Sequence, residues 1–214
     1  MATQKKLSAS SADTATKPKP RARKVTVAAT PASKTNTKPV VMVTGAAGML
    51  ARGVISRLQQ HYTVVAVDFR KQVFFGEGVT SFKVDFTKRG FEDIFRQYPV
   101  SGIIHLGRIG SHEYNRLSRY NANVLGTQKL LDLAIKYQVK QVVVLSTYFV
   151  YGANAYNPAL LDESSPLKAS ELDMELADSV ELDNLCNIHL WKHPSLNITL
   201  LRPCNILGTG VNNA

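Results

Sequence analysis

Val40-Val41-Met42-Val43-Thr44-Gly45-Ala46-Ala47-Gly48-Met49-Leu50-Ala51 is the stretch that decides the fold. Its first four residues form an unbroken apolar run, the pattern of a strand buried on both faces. Thr44-Gly45 ends the run, and a helix is predicted over 48–60. A strand that turns into a helix through G-x-x-G-x-x-A makes a phosphate-binding turn. Glycine lets the backbone approach a pyrophosphate, and the helix start offers unpaired N–H groups and partial positive charge. Small Ala51 permits close helix–strand packing. Gly45, Ala47, Gly48, Met49 and Leu50 are therefore the expected pyrophosphate cradle.

The same alternation continues along the chain. Strands are predicted at 63–67, 81–84, 102–106, 141–146 and 197–201, and helices at 88–97, 112–138 and 169–192. Strand–helix alternation of this kind gives a parallel sheet with right-handed crossovers and helices on both faces. The fold class is α/β, a doubly wound parallel-sheet Rossmann fold.

Asp68 ends the second strand, 20 residues past Gly48. An acid there accepts hydrogen bonds from the adenosine ribose and repels a 2′-phosphate, so NAD is favoured over NADP. Arg70 and Lys71 follow closely and weaken that preference. The plainer reading of Asp68 is an ordinary strand-ending acid, but the loop before it argues for a dinucleotide.

Charge is placed unevenly. The chain has 26 Lys plus Arg against 16 Asp plus Glu, a formal charge of +10. Residues 1–38 hold nine of the bases and a single acid, Asp13. Basicity thus belongs to the tail, which argues against a nucleic-acid-binding domain. The tail is Ala, Thr, Ser, Lys and Pro, too poor in large apolar side chains to offset chain entropy, and is expected to be disordered. It reads as a solubilising segment or as a weak, non-specific, salt-sensitive contact with a polyanion. The domains expected are the tail, 1–38, and a cofactor-binding unit, 39–214.

Two cysteines, Cys186 and Cys204, cannot make a disulfide framework and are expected to be buried apolar residues. No metal site is expected. No apolar run is long enough for a membrane helix. The N-terminus lacks the apolar core of a secretory signal, and as a transit peptide it lacks an amphipathic apolar face. A reducing, cytoplasmic setting is the expectation.

Several short motifs now agree in order. Val43-Thr44-Gly45-Ala46-Ala47-Gly48 resembles the T-G-x-x-G loop of the extended short-chain dehydrogenase/reductases, the NAD-dependent epimerase/dehydratases. Asp85-Phe86 looks like that family's acid after strand three, which meets the adenine amino group. His105-Leu106-Gly107-Arg108 resembles its H-L-A-A, and Asn123-Val124-Leu125-Gly126-Thr127 its N-V-x-G-T. Ser146-Thr147-Tyr148-Phe149-Val150-Tyr151-Gly152 is similar to S-S-x-x-V-Y-G. Asp162-Glu163 and Pro166 look like the acidic loop that follows. Leu201-Arg202-Pro203-Cys204-Asn205-Ile206-Leu207-Gly208 resembles L-R-P-x-N-V-Y-G. The resemblance runs from Val40 to about Gly210.

It implies NAD-dependent oxidoreductase chemistry on a nucleotide sugar or related hydroxyl compound. Thr147 stands at the catalytic serine, its hydroxyl directed at the reacting oxygen. Asp85, Phe86, Leu106, Gly107, Arg108, Asn123 and Pro203 join the loop and Asp68 as cofactor-binding positions, with Pro203 beside the nicotinamide. His105 and Tyr151 are expected to be structural. A homodimer through the helices at about 112–138 and 169–192 is also implied.

Two departures matter. The family's acid/base is a tyrosine, with a lysine four residues later that lowers its pKa and binds the nicotinamide ribose. None of the eight tyrosines here has lysine at that spacing, and none follows Tyr156. By placement, Leu176 stands for the tyrosine and Val180 for the lysine. Tyr148 is expected to face away from Thr147. Asp178, Ser179 and Glu181 are candidate replacements, or simply the solvated face of the helix. The second departure is length: family members carry a further C-terminal part that builds the substrate pocket. The chain therefore reads either as a fragment or as a cofactor-binding half. The alternative to an oxidoreductase is a catalytically inactive NAD-binding sensor or scaffold.

Overall fold

The computed structural model describes residues 38–109, 115–173 and 176–208. The tail expected over 1–38 lies outside these residues except for Lys38, whose ammonium donates to the carbonyls of Gln59 and Gln60 at 3.2 and 2.9 Å.

Among the described residues, six parallel strands form one sheet: β1 Val40–Thr44, β2 Thr63–Asp68, β3 Val79–Lys83, β4 Val100–His105, β5 Gln141–Leu145 and β6 Asn197–Leu201. Their order is β3-β2-β1-β4-β5-β6, with the reversal of direction between β1 and β4. That is the strand order of a doubly wound dinucleotide-binding sheet, whose ligand lies across the strand ends at the reversal. The helices are α1 Met49–Leu58, α2 Arg89–Gln97, α3 Arg116–Tyr120, α4 Gly126–Lys136, α5 Ala169–Leu172 and α6 Ala177–Lys192.

The continuous apolar runs of β1 and β2 follow from burial on both sides. Met42, Val65 and Val67 join one core, with Phe91, Ile103 and Leu130. Val43, Val64 and Ala66 face the other, against Ala51 and Ile55 of α1. Each large side chain fully buried this way contributes about 2 kcal/mol.

Four expectations are corrected. The third strand begins at Val79, because Val64 of β2 pairs with Val79, and its residues are half-buried or exposed since β3 is an edge. Of the helix expected over 112–138, residues 112–114 lie outside the described residues, and the rest is interrupted by a π-helical turn, Asn121–Leu125. The helix expected over 169–192 is two helices, with Leu176 at the N-cap of α6. Cys204 is exposed, because Pro203 has already carried the chain off the sheet, whereas Cys186 is buried and its thiol is pushed up to about 12. Among the described residues, no helix is long and apolar enough to cross a membrane.

Candidate functional site

The loop after β1 is built from backbone alone. Gly45 takes φ +72°. A Cβ there would stand 2.5 Å from the Gly107 nitrogen, so the β1 and β4 loops touch main chain to main chain. The Gly48 N–H closes the turn on the Gly45 carbonyl at 2.9 Å. Gly48 is also the N-cap of α1 and supplies no side-chain cap. The first N–H groups of α1 are thus left for an anion.

Around this turn lies a cleft of about 400 Å³ lined by Gly45, Gly48, Asp68, Asp85, Phe86, Leu106, Gly107, Arg108 and Asn123 among others. Asp68 is buried, and its carboxylate accepts from the Ala47 N–H at 3.0 Å and the Arg70 N–H at 2.8 Å. It therefore fastens the glycine loop to the end of β2 while each oxygen keeps a lone pair. Arg70 lines the cleft too, its Nε 3.8 Å from Asp68. Asp85 accepts from the N–H and hydroxyl of Thr87 at 2.9 and 2.8 Å. Phe86 packs on Phe91 at 4.7 Å between ring centroids, with Gly107 and Gly126 against its ring.

Other expected residues lie outside the cleft lining. Met49 is exposed and Leu50 half-buried on α1, while Ala47 acts through its N–H on Asp68. The Pro203 carbonyl accepts from the Tyr148 N–H at 3.2 Å. Thr147 is buried at the N-cap of a 3₁₀ turn, Tyr148–Tyr151, its hydroxyl accepting from the Phe149 N–H at 3.3 Å. The chain has left the strand there, so the alternation expected to turn Tyr148 away from Thr147 no longer applies.

The positions of the missing pair are filled by packing. Val180 is buried with Val150, Tyr151 and Ala169, and Leu176 and Leu167 pack against them. Of the candidate replacements, only Glu181 is on a solvated face, where it accepts from the Tyr120 hydroxyl at 3.1 Å. Asp178 and Ser179 are buried, which overturns their reading as solvent-facing. Asp178 accepts from Arg119 Nε at 3.2 Å and Asn123 Nδ2 at 2.9 Å. Asn123 in turn grips Ile109 through both its N–H and its carbonyl, at 2.8 and 3.0 Å. Arg108 Nη2 donates to the Ser179 hydroxyl at 2.7 Å.

A further buried group escaped sequence reasoning. Asp183 of α6 accepts from the Ser146 hydroxyl and, at 2.7 Å, from Arg202 Nε. Arg202 also donates to the Tyr151 hydroxyl at 2.8 Å and the Glu163 carbonyl at 3.1 Å. Burial pushes the Asp183 carboxyl up, against the pull of Ser146 and Arg202. The available signal was an arginine at the end of β6 and an aspartate on the helix before it.

His105 is structural, as expected. Thr127 gives its hydroxyl proton to the Asn123 carbonyl at 2.5 Å. It must then accept from His105 Nε2–H at 2.9 Å, leaving Nδ1 to accept from Thr44 Oγ1 at 2.5 Å. Complete burial pulls the imidazole down to about 4 from its ordinary 6.5. Between these values the unfolded chain holds a proton on this group that the folded chain does not. Stability should therefore fall as pH falls from 6.5 to about 4, by roughly 3 kcal/mol from this residue, and its contribution should level off below that. Urea unfolding across this range checks it: His105→Gln should lose that part of the slope.

The profile of the NAD dependent epimerase/dehydratase family matches residues 41–214. The chain belongs to that family. Among its relatives is a UDP-glucose 4-epimerase of Dictyostelium discoideum, 30% identical over 185 residues, covering 78% of this chain and 52% of that protein. The human UDP-glucose 4-epimerase is 30% identical over 147 residues, covering 59% and 42%. Among solved structures, MoeE5 in complex with UDP-glucose and NAD superposes with a TM-score of 0.64 at 25% identity, over 76% of this chain and 53% of that one. A UDP-glucose 4-epimerase structure gives 0.68 at 21% identity, over 79% and 53%, a likeness of fold. The chain spans about half the length of these relatives. NAD is the cofactor of the epimerase/dehydratase family, and the glycine cradle, the uncapped helix start and Asp68 fit such a dinucleotide.

Proposed function

We propose that this epimerase/dehydratase-family chain holds NAD without carrying out the family's tyrosine–lysine proton transfer. It works as a cofactor-binding protein, a sensor or scaffold. The observation that carries this reading is the packing of Leu176 and Val180 into one apolar cluster, beside an intact glycine loop. Gly45, Gly48 and the start of α1 hold the pyrophosphate, Asp68 the adenosine ribose, and Asp85 and Phe86 the adenine. Bound NAD would supply a hydride acceptor. Proton transfer by a positioned side chain typically contributes 10²- to 10⁴-fold, and neither Leu176 nor Val180 moves a proton.

The second reading is an oxidoreductase acting on a nucleotide sugar. It is favoured by the UDP-glucose 4-epimerase relatives and by Thr147 at the catalytic serine. Exposed Ile188 and Trp191 on α6 and Leu125 before α4 support a homodimer through these helices.

The two readings separate in one assay. The full chain is incubated with NAD and UDP-glucose, and sugar conversion and NADH fluorescence are followed. NAD binding with neither signal is expected. Turnover by the wild type would establish the oxidoreductase, and its loss or survival in Thr147→Ala would then show whether that hydroxyl takes part.

A further inference from the structure

Three guanidiniums meet two carboxylates between the β4 loop and α6. Arg119 is paired with Asp178 at 3.2 Å and Arg202 with Asp183 at 2.7 Å. Arg108 lies within electrostatic reach of Asp178, Asp183 and Arg119, yet its hydrogen bond among the described residues is to the neutral Ser179 hydroxyl. The surplus positive charge of the group thus rests on Arg108, which lines the cleft.

Its place along the cleft follows from the sheet. Asp68 and Asp85 serve the β2–β3 side, and the glycine loop sits at the reversal between β1 and β4. A dinucleotide crossing that reversal puts its second nucleoside over β4 and β5, toward α6. Arg108 follows β4 and reaches the first turn of α6, one residue before buried Val180.

We propose that Arg108 binds the cofactor's nicotinamide-side ribose, supplying at the β4 loop the cation that α6 lacks at Val180. This rests on the NAD reading above. Arginine keeps its charge at any working pH and presents five N–H donors in a fixed fork. Ser179 takes one of them and orients the plane, leaving others for ribose hydroxyls. Asp178, whose Oδ1 is buried without a partner among the described residues, holds the guanidinium electrostatically without a direct ion pair.

The test titrates the full chain and Arg108→Gln with NAD and with ADP, which carries adenosine and both phosphates but no second ribose. Arg108→Gln should weaken NAD about tenfold, the loss expected for a charge-assisted hydrogen bond to the ligand, and leave ADP unchanged. Arg108→Lys, which keeps the charge and loses the fork, should fall between, and serves if Arg108→Gln does not fold. Equal weakening of both ligands would place Arg108 at the phosphates and overturn the inference. Unchanged binding of both would make it a brace for α6 and overturn it too. A wild-type chain that binds neither ligand would remove the NAD reading itself.

Discussion

Gly45→Ala is expected to abolish NAD binding and to destabilise the domain by about 3 kcal/mol. Two costs add. The backbone at φ +72° is one that alanine rarely adopts. The new methyl would also stand 2.5, 2.6 and 2.7 Å from the Gly107 nitrogen, the Gly107 Cα and the Leu106 carbonyl carbon. All three are backbone atoms of the loop after β4, so relief requires the β1 and β4 loops to part, and that parting opens the cradle. Gly53 of α1 is the internal control. A methyl there meets nothing within 4 Å, so Gly53→Ala should add up to about 1 kcal/mol through helix propensity alone. Urea unfolding of the two variants, with NAD titration, should give opposite signs.

The second large effect is expected at Asp183, which is fully buried. Asp183→Ala should cost about 3 to 5 kcal/mol, because it leaves the Arg202 guanidinium half-buried with its carboxylate gone and strands the Ser146 hydroxyl. The loss should spread. Arg202 links β6 to α6, to Tyr151 and to the Glu163 carbonyl, so the far side of the sheet loosens while the glycine loop does not. Hydrogen exchange should show faster opening in β6 and α6 than in β1 and α1. Equal protection throughout would mean that the pair is not what holds that side.

The glycine loop was legible because the relevant physics is local: a buried strand, a turn only glycine permits, and a helix start. Asp68 was placed at the cleft by the same reasoning. Its grip on the Ala47 N–H was not, because that contact depends on how β1 and β2 lie side by side. Helix α6 was the hardest to read. Asp178, Ser179 and Asp183 are on its buried side, so polarity there marks a buried, hydrogen-bonded cluster and not a solvated face. Their partners Arg119, Asn123, Ser146, Arg108 and Arg202 come from five other parts of the chain, at sequence separations that no periodicity shows. The π-helical turn before α4 was hidden for the same reason. It seats Asn123 against Ile109 and Asp178, a tertiary bond with no local sequence signal.

Binding of a dinucleotide across the strand ends, at Gly45, Gly48 and Asp68, is open to direct measurement. Calorimetric titration of the full chain with NAD, alongside Asp68→Ala, tests it most directly. Saturable binding by the wild type is expected, weakened at least about tenfold in Asp68→Ala by loss of the ribose acceptor and of the bond to the Ala47 N–H. A folded wild-type chain that takes up no NAD, or an Asp68→Ala variant that binds it equally well, would rule out a dinucleotide held at this place.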